Sequence, residues 1–284
     1  MWTRRSAFSG GDQGYLKSIQ YSDSQKLSAR AKLHKKHRTA SVEWFPWLAS
    51  LGDIQFGMSV VDVGCGPGWF WAEGRQAVAD GIAIVLTDIS RGMVREAVER
   101  VASLSGLSTS LTGAVADAQQ LPFADHQFDI VFASHVMYHV PDPRLAVDEI
   151  HRVLKPGGRA VISTNGDEHL KEMWVIREAV FGPSGRDDTT EVFSRTTGRP
   201  VVANAFEKAD WHQYEDWLDV TNPQGVFDFI CSSPPAESAD EEQRADLRRV
   251  IGEHFDRGHG RLRVTKDSGA FVCSTSGNAE VPAH

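Results

Sequence analysis

Short apolar runs alternate with amphipathic segments along the middle of the chain, between Ser59 and Thr164. Each run is apolar enough to be covered on both faces, as the strands of a parallel sheet are. The predicted strands are "SVVDV", "IAIVLTD", "GAVAD", "FDIVFAS" and "RAVIST". Helical patterns such as "SRGMVREAVERVASL" and "PRLAVDEIHRVL" separate them. Strands that alternate with helices predict right-handed crossovers and a mainly parallel α/β sheet.

The region before this alternation is predicted to be helical. Residues 15–37 contain no Gly or Pro and are rich in Leu, Lys, Ala and Arg, which predicts one continuous helix. One stripe of that helix is unusually polar, since it carries Arg30 and His34. The segment "SVEWFPWLASLG" predicts a second, short aromatic helix. We therefore assign residues 1–52 to an N-terminal helical lid.

The alternation stops after Asn165. The later predicted elements are two helices, "HLKEMWVIREAVFG" and "ADEEQRADLRRVIGEHF", a partial strand in "FEKADWHQYEDWLDVT", and a hairpin of "GRLRVTK" and "GAFVCST" that turns at Asp267, Ser268 and Gly269. The chain thus divides into the lid, an α/β core at 53–165, and a third part at 166–284. That third part is expected to form a cap and the last strands of the sheet.

Composition narrows the class of protein. A chain of 284 residues with 41% hydrophobic and 24% charged residues fits a globular domain with an elaboration. The net charge of -8 argues against nucleic acid as the main partner, because phosphate binding needs a basic surface. Three widely spaced cysteines predict neither a disulfide framework nor a zinc site, so we expect a cytoplasmic protein. No apolar run is long enough to predict a membrane span.

A glycine-rich turn follows the first predicted strand, in "VVDVGCGPGWFW". In a parallel α/β sheet this turn lies at the carboxyl ends of the strands, where ligands bind. Gly64, Gly66 and Gly68 permit positive φ angles and a close approach of a ligand to the backbone. The spacing is G-x-G-x-G, and Trp69 follows where the dinucleotide fingerprint continues to a third glycine at G-x-G-x-x-G.

Three carboxylates accompany the ends of the first three strands. Asp88 ends the second strand, twenty residues after Gly68, where it can accept hydrogen bonds from ribose hydroxyls. Asp117 ends the third and could accept from an adenine amino group. Asp62, just before the glycine turn, could hold a cationic end of a ligand. Any one of these aspartates could instead simply cap a turn, so the argument depends on all of them together.

In order and spacing, five segments resemble the successive motifs of the class I S-adenosylmethionine-dependent methyltransferases; they are "VVDVGCGPG", "LTDIS", "ADAQQLPF", "FDIVFASHVMYHV" and "EIHRVLKPGGRAVIST". The resemblance implies a Rossmann-like, doubly wound, mainly parallel seven-stranded sheet with a cap inserted after the fifth strand. It also implies S-adenosylmethionine as cofactor and no metal. The implied cofactor residues are Asp62, Gly64, Cys65, Gly66 and Gly68 at the methionine part, Asp88 and Ile89 at the ribose, Asp117 and Ala118 at the adenine, and Ser134, which flanks the sulfonium together with His135.

Outside these motifs, "YSDSQKLSARAKLHKKH" and "GAFVCST" resemble bacterial methyltransferases that tailor small natural products, among them enzymes that methylate an indole carbon of tryptophan-derived compounds such as cyclodipeptides. This resemblance implies that its polar positions face the cofactor and the acceptor from a helix over the strand ends, and that the substrate is a small aromatic molecule. Those positions are Tyr21, Asp23, Arg30 and His34, of which Arg30 and His34 are assigned to the cofactor. The candidate proton acceptors are His135, Tyr21, Asp23 and Tyr138, and the candidate aromatic walls are Trp44, Trp174 and Trp211. For His139 we favour a structural hydrogen bond.

Other interpretations stay open at this stage. The polar stripe at 15–37 could be an ordinary solvated helix face. A nicotinamide-dependent dehydrogenase would also use Asp88, although the missing third glycine and Asp117 argue against it. The transferase could methylate nitrogen or oxygen of another aromatic metabolite, and a noncatalytic S-adenosylmethionine-binding regulator is a further alternative. The sequence leaves a homodimer open.

Overall fold

A seven-stranded sheet forms the centre of the computed structural model, which describes residues 7, 9, 12–21, 25–185 and 189–276. The strands are β1 (Ser59–Val63), β2 (Ile82–Asp88), β3 (Ser108–Val115), β4 (Phe128–Ser134), β5 (Leu154–Asn165), β6 (Lys208–Val220) and β7 (Leu262–Ser274). Their spatial order is β3-β2-β1-β4-β5-β7-β6, and β7 pairs antiparallel with both of its neighbours while the other pairs are parallel. The predicted Rossmann-like, mainly parallel seven-stranded fold is confirmed.

Eleven α-helical segments are assigned within the described residues. They are α1 (Gln13–Tyr15), α2 (Gln25–His37), α3 (Trp44–Gly52), α4 (Trp69–Glu73), α5 (Arg91–Ala102), α6 (Pro143–Val153), α7 (Lys171–Phe181), α8 (Thr189–Val192), α9 (Arg195–Ala205), α10 (Pro223–Ile230) and α11 (Glu241–Arg257). The π-helical turn Leu16–Gln20 continues α1. Helices α7 to α9 lie between β5 and β6, where the sequence predicts the cap.

The strands bury alternate residues on opposite faces, because successive side chains of a strand point to opposite sides. Val60 of β1 and Ile130 of β4 pack in one cluster with residues of α3, α4 and α5. Val61 and Val131, the next residues along, pack on the other face with residues of α6 and α9. A third cluster joins Leu33 of α2 to α7, α10, α11 and the ends of β6 and β7. The helices on both faces account for the strongly apolar strands.

The predicted C-terminal hairpin is wrong, because β7 is one continuous strand. Ser268 is paired with Asn165 of β5 on one side and with Tyr214 of β6 on the other. A side chain at Gly269 would collide with the Trp211 ring, 2.4 Å from where its Cβ would stand. The glycine therefore serves close packing inside the sheet, and the Asp-Ser-Gly sequence makes no turn.

The predicted single helix over residues 15–37 is also not observed. The first helical stretch ends at Tyr21, whose φ of -127° leaves the helical region, and α2 begins at Gln25. The segment directly after α2 is attached to β6 through the Asp216 carboxylate, which accepts hydrogen bonds from the backbone N–H groups of Thr39 and Ala40, each at 2.9 Å. Within the described residues, no helix is both long and apolar enough to cross a bilayer.

Candidate active site

The glycine turn between β1 and α4 is held against the end of β2. The backbone N–H groups of Gly64 and Cys65 both donate to the Thr87 carbonyl, at 2.8 Å each. Gly64 has a φ of +73°, and a Cβ there would stand 2.5 Å from Val136 Cγ2. Gly66 has a φ of +51°, and a Cβ there would meet no atom within 4 Å, because this part of the turn borders a cavity. The turn thus exposes bare backbone to a ligand.

The same turn also holds the Asp88 side chain in place at the end of β2 by a hydrogen bond. Its Oδ2 accepts from the Gly66 N–H at 3.1 Å, and its Oδ1 accepts from the Ser90 N–H at 2.8 Å. A carboxylate has about four acceptor positions, so capacity remains for ligand hydroxyls. Burial raises the pKa of Asp88, although the bonds from Ser90 and Gly66 oppose this rise.

Asp62 carries a buried oxygen atom with no hydrogen-bond partner among the described residues. The Trp71 indole N–H donates to Asp62 Oδ2 at 2.9 Å, whereas Oδ1 has no partner. Burial is the main cause that raises the pKa of Asp62 to about 7, and the Asp88 carboxylate adds to it while the Trp71 bond opposes it. A buried oxygen left in this state is the position where a ligand N–H or ammonium group would bind best.

A cavity of about 720 Å³ runs from the glycine turn to the space beneath α2. Of the residues predicted for the site, those that line it are Asp62, Gly64, Cys65, Gly66, Asp88, Ile89, Asp117, Ala118, Ser134, His135, Tyr138, Tyr21, Arg30 and His34. Gly68 stands behind the turn, where a Cβ would be 2.9 Å from the Ala97 backbone of α5. Asp23 lies outside the described residues. The structure thus brings these predicted residues of the lid and the core together around one cavity.

The part of the chain that contains the glycine turn matches a known protein family. A family described as "Methyltransferase domain" matches residues 61–162. This range runs from the third residue of β1 into the second half of β5 and includes the glycine turn, Asp62, Asp88 and Asp117. Residues 61–162 form a methyltransferase domain.

Curated relatives and a solved structure support this assignment to different extents. Methyltransferase GfsG of Streptomyces halstedii is 37% identical over 115 residues, which are 39% of each protein. The 27-O-demethylrifamycin SV methyltransferase of Amycolatopsis mediterranei is 28% identical over 76% of this chain and 75% of that protein. The [4+2]-cyclase SpnF has a TM-score of 0.57 at 17% identity, over 93% of this chain and 96% of that one, and so shows the fold alone. The chain spans less than half the length of GfsG, so that resemblance concerns the domain.

S-adenosylmethionine is the cofactor of this methyltransferase domain, and the residues present fit its chemistry. The unpartnered Asp62 Oδ1 suits the ammonium group of the methionine part. The bare backbone at Gly66 leaves room beside it, and Asp88 retains acceptor positions for the ribose. Asp117 is turned toward Gln119, whose backbone N–H donates to its Oδ1 at 2.9 Å. No group of His, Cys, Asp and Glu suited to a metal ion occurs in the part of the chain described.

His135 follows β4 and faces the cavity of the methyltransferase domain from a strained backbone, with a φ of 53°. Its backbone N–H donates to the Ser163 carbonyl at 3.2 Å, and its ring centroid lies 5.2 Å from that of Trp44. Burial, with a smaller contribution from the charge of Lys266, lowers the pKa of His135 to about 4. The imidazole is therefore uncharged at neutral pH.

Tyr21 and His139 meet across the cavity, although 118 residues separate them in sequence. The Tyr21 hydroxyl and His139 Nε2 are 2.8 Å apart, a hydrogen-bond distance. The Arg30 guanidinium lies over the Tyr21 ring, 5.7 Å from its centroid. The hydrogen bond expected for His139 is thus present, and its partner is a predicted catalytic residue.

Sequence reasoning missed three residues of the inner cavity and misplaced one. Lys266 lies in the lining with its Nζ 2.9 Å from Asp216 Oδ2, and His169 and Phe229 surround His34. These residues come from the cap and the last strands, which lie outside the methyltransferase motifs. Trp44 and Trp174 line the cavity as predicted, but Trp211 does not. The Trp211 ring packs on β7, in the space left by Gly269, with its centroid 4.9 Å from that of Phe271.

Proposed function

We propose that the whole chain is an S-adenosylmethionine-dependent methyltransferase that acts on a small aromatic intermediate of natural-product biosynthesis. The observation that carries this proposal is the single cavity that joins Asp62 and the glycine turn to an aromatic space beneath α2. The bound cofactor supplies an electrophilic methyl group on a positively charged sulfur. The task of the chain is to align the acceptor with that methyl group and to keep water out.

The lining of the cavity favours an uncharged aromatic acceptor. Trp44, Trp174, Phe229 and Tyr138 supply aromatic faces. A net charge of -8 disfavours a polyanionic substrate. The relative from Amycolatopsis mediterranei is named for 27-O-demethylrifamycin SV, and we take this name as support for a natural product as the acceptor.

We further propose that the methylated atom is a carbon of an indole ring, as in a tryptophan-derived cyclodipeptide. Methylation of an indole carbon places positive charge on the ring, so the adduct must lose a proton to a nearby base, from the methylated carbon itself or, where that carbon carries no hydrogen, from an N–H group of the acceptor. Tyr21 and His139 suit this task, because a proton that reaches the Tyr21 oxygen can displace the Tyr21 proton onto His139 Nε2. His135 has a lowered pKa, which makes it a weaker base, and its ring and that of Tyr138 are placed to position the acceptor.

Two alternatives have support of their own. Transfer to oxygen or nitrogen would need the same cavity, and the rifamycin relative is named for a substrate that lacks an O-methyl group. A reaction other than methyl transfer is the second alternative, since SpnF, which shares this fold, is described as a [4+2]-cyclase. The noncatalytic regulator stays a further proposal. A homodimer and a cytoplasmic location stay proposals, the latter supported by Cys65, Cys231 and Cys273, which form no disulfide.

The experiment that tests the proposal is a turnover screen with methyl-labelled S-adenosylmethionine. The acceptors are indole-containing cyclodipeptides, simple indoles, phenols and aromatic amines, and the methylated atom is identified by NMR. We expect S-adenosylhomocysteine to form and a new carbon-bound methyl group to appear on an indole. Turnover only on hydroxyl or amine acceptors would refute the carbon assignment. Tight cofactor binding without turnover on any acceptor would support the regulator instead.

A further inference from the structure

His34 of α2 presents an unsatisfied nitrogen in the cavity. Its Nδ1 is buried and has no hydrogen-bond partner among the described residues. Its ring lies edge-on to Phe229, with centroids 5.8 Å apart, and nearly parallel to His169, with centroids 6.1 Å apart. These contacts belong to the cap and to the segment after β6, where the acceptor space lies. A buried polar atom without a partner costs free energy, and a ligand that supplies the partner regains it.

The charge state of His34 follows from the groups around it. Burial is the largest cause that lowers the pKa of His34 to about 3; Lys266, His135 and Arg30 act in the same direction, and Asp216 opposes them. The imidazole is therefore neutral and carries one N–H. In the Nε2–H form, which a neutral imidazole prefers, Nδ1 is a hydrogen-bond acceptor. The missing partner is then a donor, an N–H or O–H group.

The neighbouring imidazole of His169 has no such need. The Ser268 hydroxyl donates to Asn165 Oδ1 at 3.0 Å, and the Ser268 oxygen lies 3.1 Å from His169 Nδ1. Since Ser268 has given its only proton to Asn165, His169 must donate from Nδ1 to the Ser268 oxygen. His169 is therefore held by the protein itself, and His34 is the member of the stacked pair whose nitrogen is left for a ligand.

We propose that His34 anchors the acceptor, by accepting a hydrogen bond at Nδ1 from an N–H or O–H group on a neutral aromatic ring system. This inference rests on the proposed function and adds a specificity-determining contact to it; the N–H or O–H group that His34 holds is distinct from the proton that leaves to Tyr21. It assigns His34 to the acceptor alone, whereas the sequence resemblance implies that His34 faces both the cofactor and the acceptor. Phe229 beside His34, Trp174 in the same lining and the neutral imidazoles favour an uncharged ring at this end, and the Lys266 ammonium in the lining is already paired with Asp216.

The test measures binding to protein saturated with S-adenosylhomocysteine, by calorimetry and by NMR. The probes are indole, 1-methylindole, in which the N–H is blocked, and benzofuran, which has nearly the same shape and no N–H. The variants are His34→Phe, which removes the acceptor nitrogen, and His34→Asn, whose amide oxygen can replace Nδ1. The matched control is His151→Phe, because His151 packs on Phe206 away from the cavity lining.

We expect the wild-type protein to bind indole about tenfold or more tightly than either other probe. His34→Phe should reduce this preference to about twofold or less, His34→Asn should restore it, and the control should behave as wild type. Equal binding of the three probes to the wild type would overturn the proposal, as would a preference that survives in His34→Phe or no binding of indole at all. A loss of S-adenosylhomocysteine binding in His34→Phe would overturn it in favour of the cofactor contact. Failure of the proposed function is separate, since it would appear as absent turnover in the methyl-transfer screen.

Discussion

Replacement of Asp62 by asparagine should make the cofactor-free protein more stable and its cofactor site weaker. Asparagine has nearly the shape of aspartate, and its carbonyl oxygen can still accept from the Trp71 indole. What the substitution removes is a buried negative charge. The charge costs free energy in the empty site and stabilises a bound ammonium group, so the two effects have opposite signs.

The size of the first effect follows from the pKa of Asp62. A rise from 3.8 to about 7 corresponds to about 4 kcal/mol against the charged form, which is an upper bound because water enters buried sites. The folded state holds the proton more tightly than the unfolded state. The stability of the wild type should therefore fall as the pH rises from about 4 to about 7 and show no further change from this group above that. The stability of Asp62→Asn should not show this decrease with pH, and the variant should be more stable than the wild type at pH 8.

The assay is urea unfolding of both proteins between pH 5 and pH 8.5, with calorimetric titration of S-adenosylhomocysteine over the same range. Affinity of the wild type should rise toward pH 7 as Asp62 ionises, and that of Asp62→Asn should stay flat and about 10- to 100-fold weaker. If Asp62→Asn is less stable than the wild type at pH 8, or binds S-adenosylhomocysteine with unchanged affinity, the argument that Asp62 Oδ1 binds the ammonium group of the cofactor is refuted.

Three further predictions test the turn, the proton acceptor and the lid. Gly64→Ala should lower the free energy of unfolding, measured with urea, by about 2 kcal/mol or more, because its Cβ would stand 2.5 Å from Val136. The control Gly57→Ala has a similar φ and open space around it, so it should lower the free energy of unfolding by about 1 kcal/mol. Equal losses in the two variants would contradict this prediction. Tyr21→Phe should lower kcat on an indole acceptor about 100-fold without changing S-adenosylhomocysteine affinity, and an unchanged kcat would remove Tyr21 from the proton path. Hydrogen exchange across α2 should slow when S-adenosylhomocysteine binds, and unchanged exchange would argue against a lid.

The sequence predicts the core of this protein well because local pattern and tertiary role agree there. The strands β1, β2 and β4 have the predicted bounds, since each apolar run is short and is buried on both faces. The carboxylates Asp62 and Asp88 are found at the cavity because a strand end fixes where they point. In this region the spacing along the chain determines the spacing in space.

The acceptor end could not be derived in the same way. Tyr21 and His139 meet only because the lid folds back over the segment after β4. Lys266 has a strand sequence around it and gives no sign that its ammonium group turns toward Asp216. Gly269 resembles a turn residue, and only the Trp211 ring beside it shows why it is glycine. These features depend on contacts between distant segments, which no local pattern encodes.

Because α2 is attached to β6 at its end, substitutions in the cavity-facing side chains of α2 and substitutions in the sheet have different effects. The segment that follows α2, residues 38–40, is attached to the edge strand β6 by the Asp216 carboxylate and by an isolated bridge between Arg38 and Leu218. Upstream of this fixed point, side chains of α2 such as His34 reach the cavity without contributing a backbone hydrogen bond to the sheet. Substitutions at the cavity-facing positions of α2 can therefore change which molecule is accepted while the sheet stays as it is, whereas Leu33 of the same helix is fixed in the third core cluster.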